Sequence, residues 1–395
     1  MSASLLQPMS HNGEENMKLN TNQNPAEAIS PVAIRKLSMI VALVTVLSFA
    51  GFAQTTNKSG QVRFEDVTIR YEPIHGIGPA AGMMRRDPSD VMKVGDSYYV
   101  WYTKVLETSP GYPEGYHGTL WFATSRDGVS WTEQGEALGR GAANKFDAFG
   151  AFTPNILYAP TTDKYYLYYT GVRTEDDKNW DFKKFSGSIG VAVADSPDGG
   201  AEGWQRTNNG DPVLAPLVNA NGVFDGWHVD DTVMFYRGYK YWLYYKGHAL
   251  EDQLEGTGLP QGSTPMGVAV SDRPDGGFER VPLSLDQPFL VQPGHELLLW
   301  PHDEGILSLP TGHYRPKHPG DFCLHYSPDG LKFSVVSPVI PATKQGSNRG
   351  LRASGLYRPD LTNPDELHSG PLWGLCMTSY RRDAGLQRFI LELNE

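Results

Sequence analysis

From residue 62 onward, short runs of aromatic and β-branched residues alternate with clusters rich in Gly, Asp and Pro. The run Ser97-Tyr98-Tyr99-Val100-Trp101-Tyr102-Thr103 has the composition of a strand, and Tyr239 to Tyr245 repeats it. Each follows an apolar run and a Gly turn, Gly95 and Gly238, and each such run is headed by an acid. Five passes of one module emerge. The first spans Asp87 to Trp131, with Thr119 to Ser125 ahead of the turn Arg126-Asp127-Gly128. The second spans Phe152 to Trp204, with Tyr165 to Tyr169, Ile189 to Ala194 and Asp198-Gly199. The third spans Asp230 to Arg280, with Met266 to Ser271 and Asp275-Gly276. The fourth, more compact, runs from Gly305 to Phe333 through Asp329-Gly330, and the fifth, looser, from Ser354 to Leu393. Asp-Gly between apolar runs is a strong hairpin signal, because glycine takes positive φ without steric cost.

Strand, turn, aromatic strand, loop, small-residue strand, Asp-Gly turn and edge strand, repeated radially, predict an all-β, five-bladed β-propeller. Small residues in the third element (Gly190, Ala192, Ala194; Gly267, Ala269) let neighbours approach closely. Val62 to Ile69 alternates well enough to be a strand that closes the ring by completing the last blade, which protects sheet edges. A β-sandwich is the structural rival. The absence of long amphipathic patterns disfavours α/β architectures.

Composition sharpens this picture only in places. The 43 Gly and 29 Pro among 395 residues suit many short strands. A net charge of −11, with no basic stripe, argues against a nucleic-acid partner. Arg35 and Lys36 precede an apolar run, Met39 to Phe49, and then Ala50-Gly51-Phe52-Ala53. That is the grammar of an export signal, too short to span a membrane comfortably. Residues 1–53 are therefore expected to be a leader and signal peptide, with Met17 an alternative start, and 54–395 the propeller. The expected location is periplasmic or secreted, with no membrane partner after cleavage. Cys323 and Cys376 leave one disulfide or two buried thiols equally open.

The repeat register carries the candidate chemistry. Aligned on Gly95 and Gly238, Asp87 falls on Asp230, and Glu304 heads the fourth pass at Gly305. Acids at the heads of innermost strands crowd toward the axis. Gathered carboxylates push one another's pKa values apart, the condition for separate acid and base roles. Each is open to a plainer reading: a turn residue before Pro88, a solvated pair with Asp231, a loop cap. Trp, Tyr, His and Arg in the longer loops suit sugar rings, which offer C–H faces to aromatics and hydroxyls to fixed polar groups. Arg86, Tyr116, His117, Trp227 and His228 are the expected substrate contacts, with Arg85, Tyr112 and Trp180 as further candidates. Trp101, Trp121, Trp131, Trp204 and Trp242 occupy repeated strand slots and are expected in the core.

Arg86-Asp87-Pro88-Ser89 with Tyr98-Tyr99-Val100-Trp101-Tyr102 resembles the opening blade of the five-bladed propeller glycoside hydrolases of families 117 and 43, over residues 62–395. The resemblance implies that Asp87 is a general base and that Asp230, within Val229-Asp230-Asp231-Thr232, orients the acid. Asp231 stands where family 43 habitually has Pro. The acid is implied to be Glu304, in Trp300-Pro301-His302-Asp303-Glu304-Gly305, which lacks the following Pro of that family. Family 117 implicates a histidine instead, which brings in His302 and then His295. The activity implied is an inverting, exo-acting hydrolase that releases sugars such as 3,6-anhydro-L-galactose from agar-type oligosaccharides. A family 43-like arabinofuranosidase or xylosidase is the alternative, and a non-catalytic glycan-binding or docking propeller the next. No cofactor is required. Relatives sometimes hold a divalent cation in the central channel, for which His228, His302 and His325 are conceivable, but no spaced ligand motif names a site. The expected partner is an oligosaccharide, and oligomeric state is not legible.

Overall fold

A computed structural model of the chain describes residues 62–109, 112, 116–174, 185–259, 264–282, 296–311, 322–340, 351 and 353–394. The expected leader, Trp180 and His295 lie outside them. Strand β1 is Asp66–Glu72. Blade one holds β2 (Met83–Arg86) with its continuation β3 (Met92–Val94), then β4 (Ser97–Leu106), β5 (Thr119–Ser125) and β6 (Trp131–Leu138). Blade two holds β7 (Gly150–Ala159), β8 (Lys164–Thr174), β9 (Phe185–Ala194) and β10 (Gln205–Arg206), and blade three β11 (His228–Arg237), β12 (Lys240–His248), β13 (Met266–Ser271) and β14 (Glu279–Arg280). Blade four holds β15 (Glu296–His302), β16 (Gly305–Thr311), β17 (His325–Ser327) and β18 (Ser334–Val335), and blade five β19 (Ser354–Leu356), β20 (Leu372–Met377) and β21 (Leu386–Asn394).

Five antiparallel sheets result, and β1 pairs along its whole length with β21 as the outer strand of blade five. The ring is closed by the N-terminal strand, as the sequence predicts, though the strand starts four residues later than the alternation suggests. The innermost strands pack around the axis, β7 on β11, β11 on β15 and β15 on β19.

Apolar clusters fill the wedges between blades. Trp101 meets Leu157 and Trp204, Phe235 and Tyr244 meet Leu299 and Ile306, and Leu298 and Trp300 meet Leu356 and Phe389. Trp101, Trp131 and Trp204 are buried as expected, while Trp121 and Trp242 are half-buried. Cys323 and Cys376 are buried thiols. Among the described residues no helix is long and apolar enough to cross a membrane.

Blades two and three share a clasp that pins the lead-in loop of each innermost strand. In blade two Tyr169 Oη and Arg206 Nε both donate to Asp147 Oδ2, at 2.8 and 2.7 Å, while Phe146 stacks on Tyr169. In blade three Tyr245 Oη and Arg280 Nε donate to Asp225 Oδ2, at 2.9 and 2.6 Å, while Phe224 stacks on Tyr245. A Cβ at Gly190 or Gly267 would strike these rings, which is why the third element is built from small residues. The clasps align Phe146-Asp147-Ala148-Phe149 with Phe224-Asp225-Gly226-Trp227, and Tyr169-Thr170-Gly171 with Tyr245-Lys246-Gly247.

Candidate active site

The clasp register carries through to the innermost strands and sets Thr153 against Asp231, not Asp230. Backbone geometry agrees. Asp87, Thr153 and Asp231 have φ of 49°, 45° and 50°, and Ala353 in blade five has 30°. In each of the first three blades this residue follows one paired to the second strand: Arg86 to Thr103, Phe152 to Thr170, Asp230 to Lys246. The ladder then skips, so the residue sits on a bulge. The alignment on Gly95 and Gly238 is off by one because blade one carries an extra residue between Arg86 and Met92. Asp231-Thr232 therefore stands in the place of Asp87-Pro88.

Asp87 is buried, and its Oδ2 accepts from Arg86 Nε at 2.6 Å. Burial works against the Arg86 charge, but Asp87 more than compensates and holds the guanidinium pKa above its usual range. Arg86 also lies over the Tyr116 ring, 5.9 Å from its centroid. Arg85, one residue earlier on the alternating strand, points the other way to Glu133 at 2.9 Å and serves blade one's interior.

Asp230 and Asp231 share Lys246, whose Nζ contacts Asp231 Oδ2 and lies 3.1 Å from Asp230 Oδ2. Asp230 Oδ2 is also 3.1 Å from His228 Nε2. Burial opposes ionisation of Asp230, yet Lys246 and then His228 hold its carboxyl well below the usual range. Burial and then the Asp230 charge push Asp231 well above it, and Glu296 adds to the rise. Lys246, buried between the two acids, is held in its charged form.

Glu296 opens β15 and is buried. Tyr380 Oη donates to its Oε1 at 3.1 Å, and the Ala353 N–H donates to its Oε2. Two tyrosines tie the groups together. Tyr116, its pKa pushed up to about 12, chiefly by burial, lies in the fields of Arg86, Lys246, Asp230 and Asp87. Tyr380 lies in those of Glu296, Asp87 and Arg86. One funnel therefore collects acids from blades one, three and four.

Glu304 and His302 do not belong to it. Gly305 begins the second strand of blade four, and the innermost strand is β15, which lies ahead of the Gly305 start expected for this pass. Glu304 is exposed in the turn after β15, with its carbonyl accepting from Arg237 Nη2 at 2.6 Å. Seven strand residues at about 3.3 Å each place that turn roughly 20 Å from Glu296, at the opposite end of the blade. His302, at the same far end, packs on Phe64 and Tyr326. The acid from blade four is Glu296. The acidic residue at the head of an apolar run, Glu296-Leu297-Leu298-Leu299-Trp300, was the signal available for it.

His228, expected as a substrate contact, is instead 1% exposed and lies behind Asp230. Trp227 is half-buried, with its ring 5.8 Å from His228. His117 packs edge-on against Phe149, the blade-two counterpart of Trp227, and its Nε2 contacts Arg140 at 2.5 Å. Tyr112, farther out, hydrogen-bonds Asp383.

Below the funnel the axis is filled. Arg358, fully buried, donates to Asp90 Oδ2 at 3.1 Å and to the Met234 carbonyl at 2.9 Å, pairs with Asp360, and lies 3.9 Å over the Phe235 ring. Asp90 Oδ1 accepts from the Leu356 N–H, and Asn155 links Asp90 to the Met234 N–H. A guanidinium thus already sits among the axial acceptors. Among the described residues no three His, Cys, Asp or Glu side chains gather as ligands, and His325 lies away in β17. The described axial residues, with that guanidinium among them, do not make a divalent-cation site.

Fold and site together define a five-bladed propeller of the glycoside hydrolase class. The chain is similar to Zg3597, a family 117 glycoside hydrolase of the marine bacterium Zobellia galactanivorans, with 25% identity and a TM-score of 0.65 over 83% of this chain and 91% of that one. BT0996, solved in an RGII complex, shares the fold at 13% identity and a TM-score of 0.61, over 82% of this chain and 92% of the other. So does the catalytic domain of the Coprinopsis cinerea family 62 α-L-arabinofuranosidase, at 12% identity and 0.54, over 84% and 98%. No family model matches the sequence, and no curated protein sequence matches it.

Proposed function

We propose that this glycoside hydrolase is exported, acts from chain ends and inverts the anomeric centre, releasing terminal sugars such as 3,6-anhydro-L-galactose from agar-type oligosaccharides. The observation that carries the reading is the pair of carboxyls on equivalent bulges of blades one and three. Asp87 is ion-paired to Arg86, and burial, then Asp230 and Glu296, push the Asp231 carboxyl up. Asp87 takes a proton from water as the water attacks the anomeric carbon. Asp231 gives its proton to the departing glycosidic oxygen. Asp230, held low against its burial by Lys246 and His228, keeps that proton in place until it is needed, and Glu296 raises Asp231 further. Direct attack by water requires an acid–base separation of about 6.5–9.5 Å and gives inversion.

The Arg358 plug supports end-on action, since a funnel closed from below admits a terminus and not a continuous chain. Half-buried Trp227 and Tyr116 offer faces to sugar C–H groups. The likeness to a family 117 enzyme supports the agar-type substrate, and the charged, apolar and small-residue order of residues 35–53 supports export.

The test is a screen of the purified 54–395 chain on agar-, arabinan- and xylan-derived oligosaccharides, with the product anomer followed by NMR. Release of a terminal sugar from agar oligosaccharides with inverted configuration is expected. Activity confined to arabinose- or xylose-containing chains would replace the substrate. Binding without hydrolysis at any pH would replace the enzyme with a glycan-binding propeller.

A further inference from the structure

We infer that His228 is a positioning residue, seated by blade two, that fixes the ionised form of Asp230 and so keeps the transferable proton on Asp231. The inference rests on the hydrolase reading above. The Gly187 N–H, from β9 of blade two, donates to His228 Nδ1 at 2.6 Å. A ring nitrogen that accepts a hydrogen bond carries no proton, so the imidazole proton sits on Nε2. Nε2 lies 3.1 Å from Asp230 Oδ2 and donates to it. One residue earlier, Ser186 Oγ donates to the Trp227 carbonyl at 2.7 Å, which locks the same segment to blade two.

The arrangement leaves His228 little freedom. A Cβ at Gly187 would lie 2.1 Å from the imidazole, so only glycine lets the ring reach the backbone donor. Both contacts to Asp230 fall on Oδ2, and its Oδ1 is buried without a partner among the described residues. Without His228, Lys246 would be the remaining contact to Asp230 Oδ2 among the described residues, and Lys246 is shared with Asp231. The groups facing Asp230 are His228 and Asp231 on its own strand, Lys246 and His248 on β12, and Tyr116 from blade one, with Glu296 reaching Asp231 and Lys246 from blade four. Of these, His228 favours the charge on Asp230 over that on Asp231. With it gone, the shared proton moves toward Asp230, away from the leaving oxygen.

The test combines one reading that needs no turnover with three variants of the 54–395 chain. In 15N-histidine NMR of the wild type, His228 should show an unprotonated Nδ1 and a protonated Nε2. The opposite tautomer would overturn the proposal whatever the enzyme cleaves, and a correct tautomer in an inactive protein would sink only the hydrolase reading. His228→Ala should lower kcat about 10²-fold with little change in KM, as expected for a misplaced catalytic group. It should also move the alkaline limb of the pH profile upward, because the doubly ionised pair has lost a donor. His228→Gln, whose amide N–H can replace Nε2–H, should restore most of the rate. Gly187→Ala should reproduce the His228→Ala profile without touching the site. Loss of melting temperature with kcat, KM and pH limbs unmoved, or no rescue by Gln, would reduce His228 to a structural residue.

Discussion

Asp87 and Asp231 hold φ of 49° and 50°, a left-handed region that costs a residue with a Cβ on the order of 1–3 kcal/mol. The strain turns a strand residue toward the funnel when alternation would send it into a blade interface. Two such acids with different partners are the core of the proposed chemistry, and each role has its own test. Asp87→Asn keeps size and hydrogen bonding but cannot take a proton. Turnover should fall about 10²–10⁴-fold while oligosaccharide binding, read by calorimetry, persists. Wild-type turnover would remove the base assignment. Asp231→Asn should lose turnover on natural glycosides but keep it on aryl glycosides with acidic leaving groups, which depart without protonation. Glu296→Gln removes a negative charge that raises Asp231, so Asp231 should release its proton earlier and the alkaline limb should move to lower pH. If the aryl glycoside rescues Glu296→Gln instead, the donor is Glu296. Asp87 was readable from its neighbours Arg86 and Pro88. Asp231 was not, because a one-residue difference in bulge length shifts the register without leaving a mark in the hydrophobic pattern.

At the scale of the element, blades two and three are one design in two versions. Blade two places Thr153 and Thr170 hydroxyls in contact at 2.5 Å where blade three places Asp231 against Lys246. The pair of hydroxyls is a structural solution, and burying a carboxyl against an ammonium costs desolvation that a purely structural blade has no reason to bear. The double variant Asp231→Thr, Lys246→Thr copies blade two into blade three. Its midpoint in urea should match or exceed that of the wild type, while hydrolysis disappears. Retained hydrolysis would deny blade three its part in catalysis. The clasps are the opposite case, polar groups kept for stability. Asp147→Ala strands Arg206 and buried Tyr169, and unfolding free energy should drop by about 3 kcal/mol with kcat unchanged. Strand content was legible wherever an aromatic run met an Asp-Gly turn. It failed at β15, where Pro301 interrupts the strand pattern, and that one missed strand displaced the expected acid to Glu304. The clasps escaped notice because their members, such as Phe146, Tyr169 and Arg206, are far apart in sequence and only the fold brings them together.

For the whole molecule, the ring must be closed at its edge and at its centre. Edge closure was legible in the alternation of Val62 to Ile69, because a lone amphipathic strand at the start of a repeat array has one natural place to pair. Central closure was not, because nothing local marks Arg358 as axial. It joins blade five to Asp90 of blade one and to the Met234 carbonyl of blade three, with Asp360 beside it. Burial pushes the Asp90 carboxyl up, while Arg358, the Leu356 N–H and Asn155 pull it back toward ionisation. Arg358→Met keeps the length of the side chain and its contact with Phe235 but removes the counter-charge. Breaking a buried pair from one side costs about 3–5 kcal/mol, so a loss of that order is expected at neutral pH. The pH dependence has a definite sign. A carboxyl whose folded pKa lies above its unfolded one contributes stability that is full below the unfolded value and is lost as pH rises through the folded value. Without Arg358 the folded value of Asp90 climbs further, so the deficit of the variant should be greatest at alkaline pH. It should shrink as acid returns a proton to Asp90, at which point the axis holds a neutral hydrogen-bonded carboxyl. Urea denaturation of both proteins at about pH 5 and about pH 8 reads the difference directly. A deficit that widens on acidification would mean that Asp90 is not the charge Arg358 serves, and that the plug is held by Asp360 and packing on Phe235 alone.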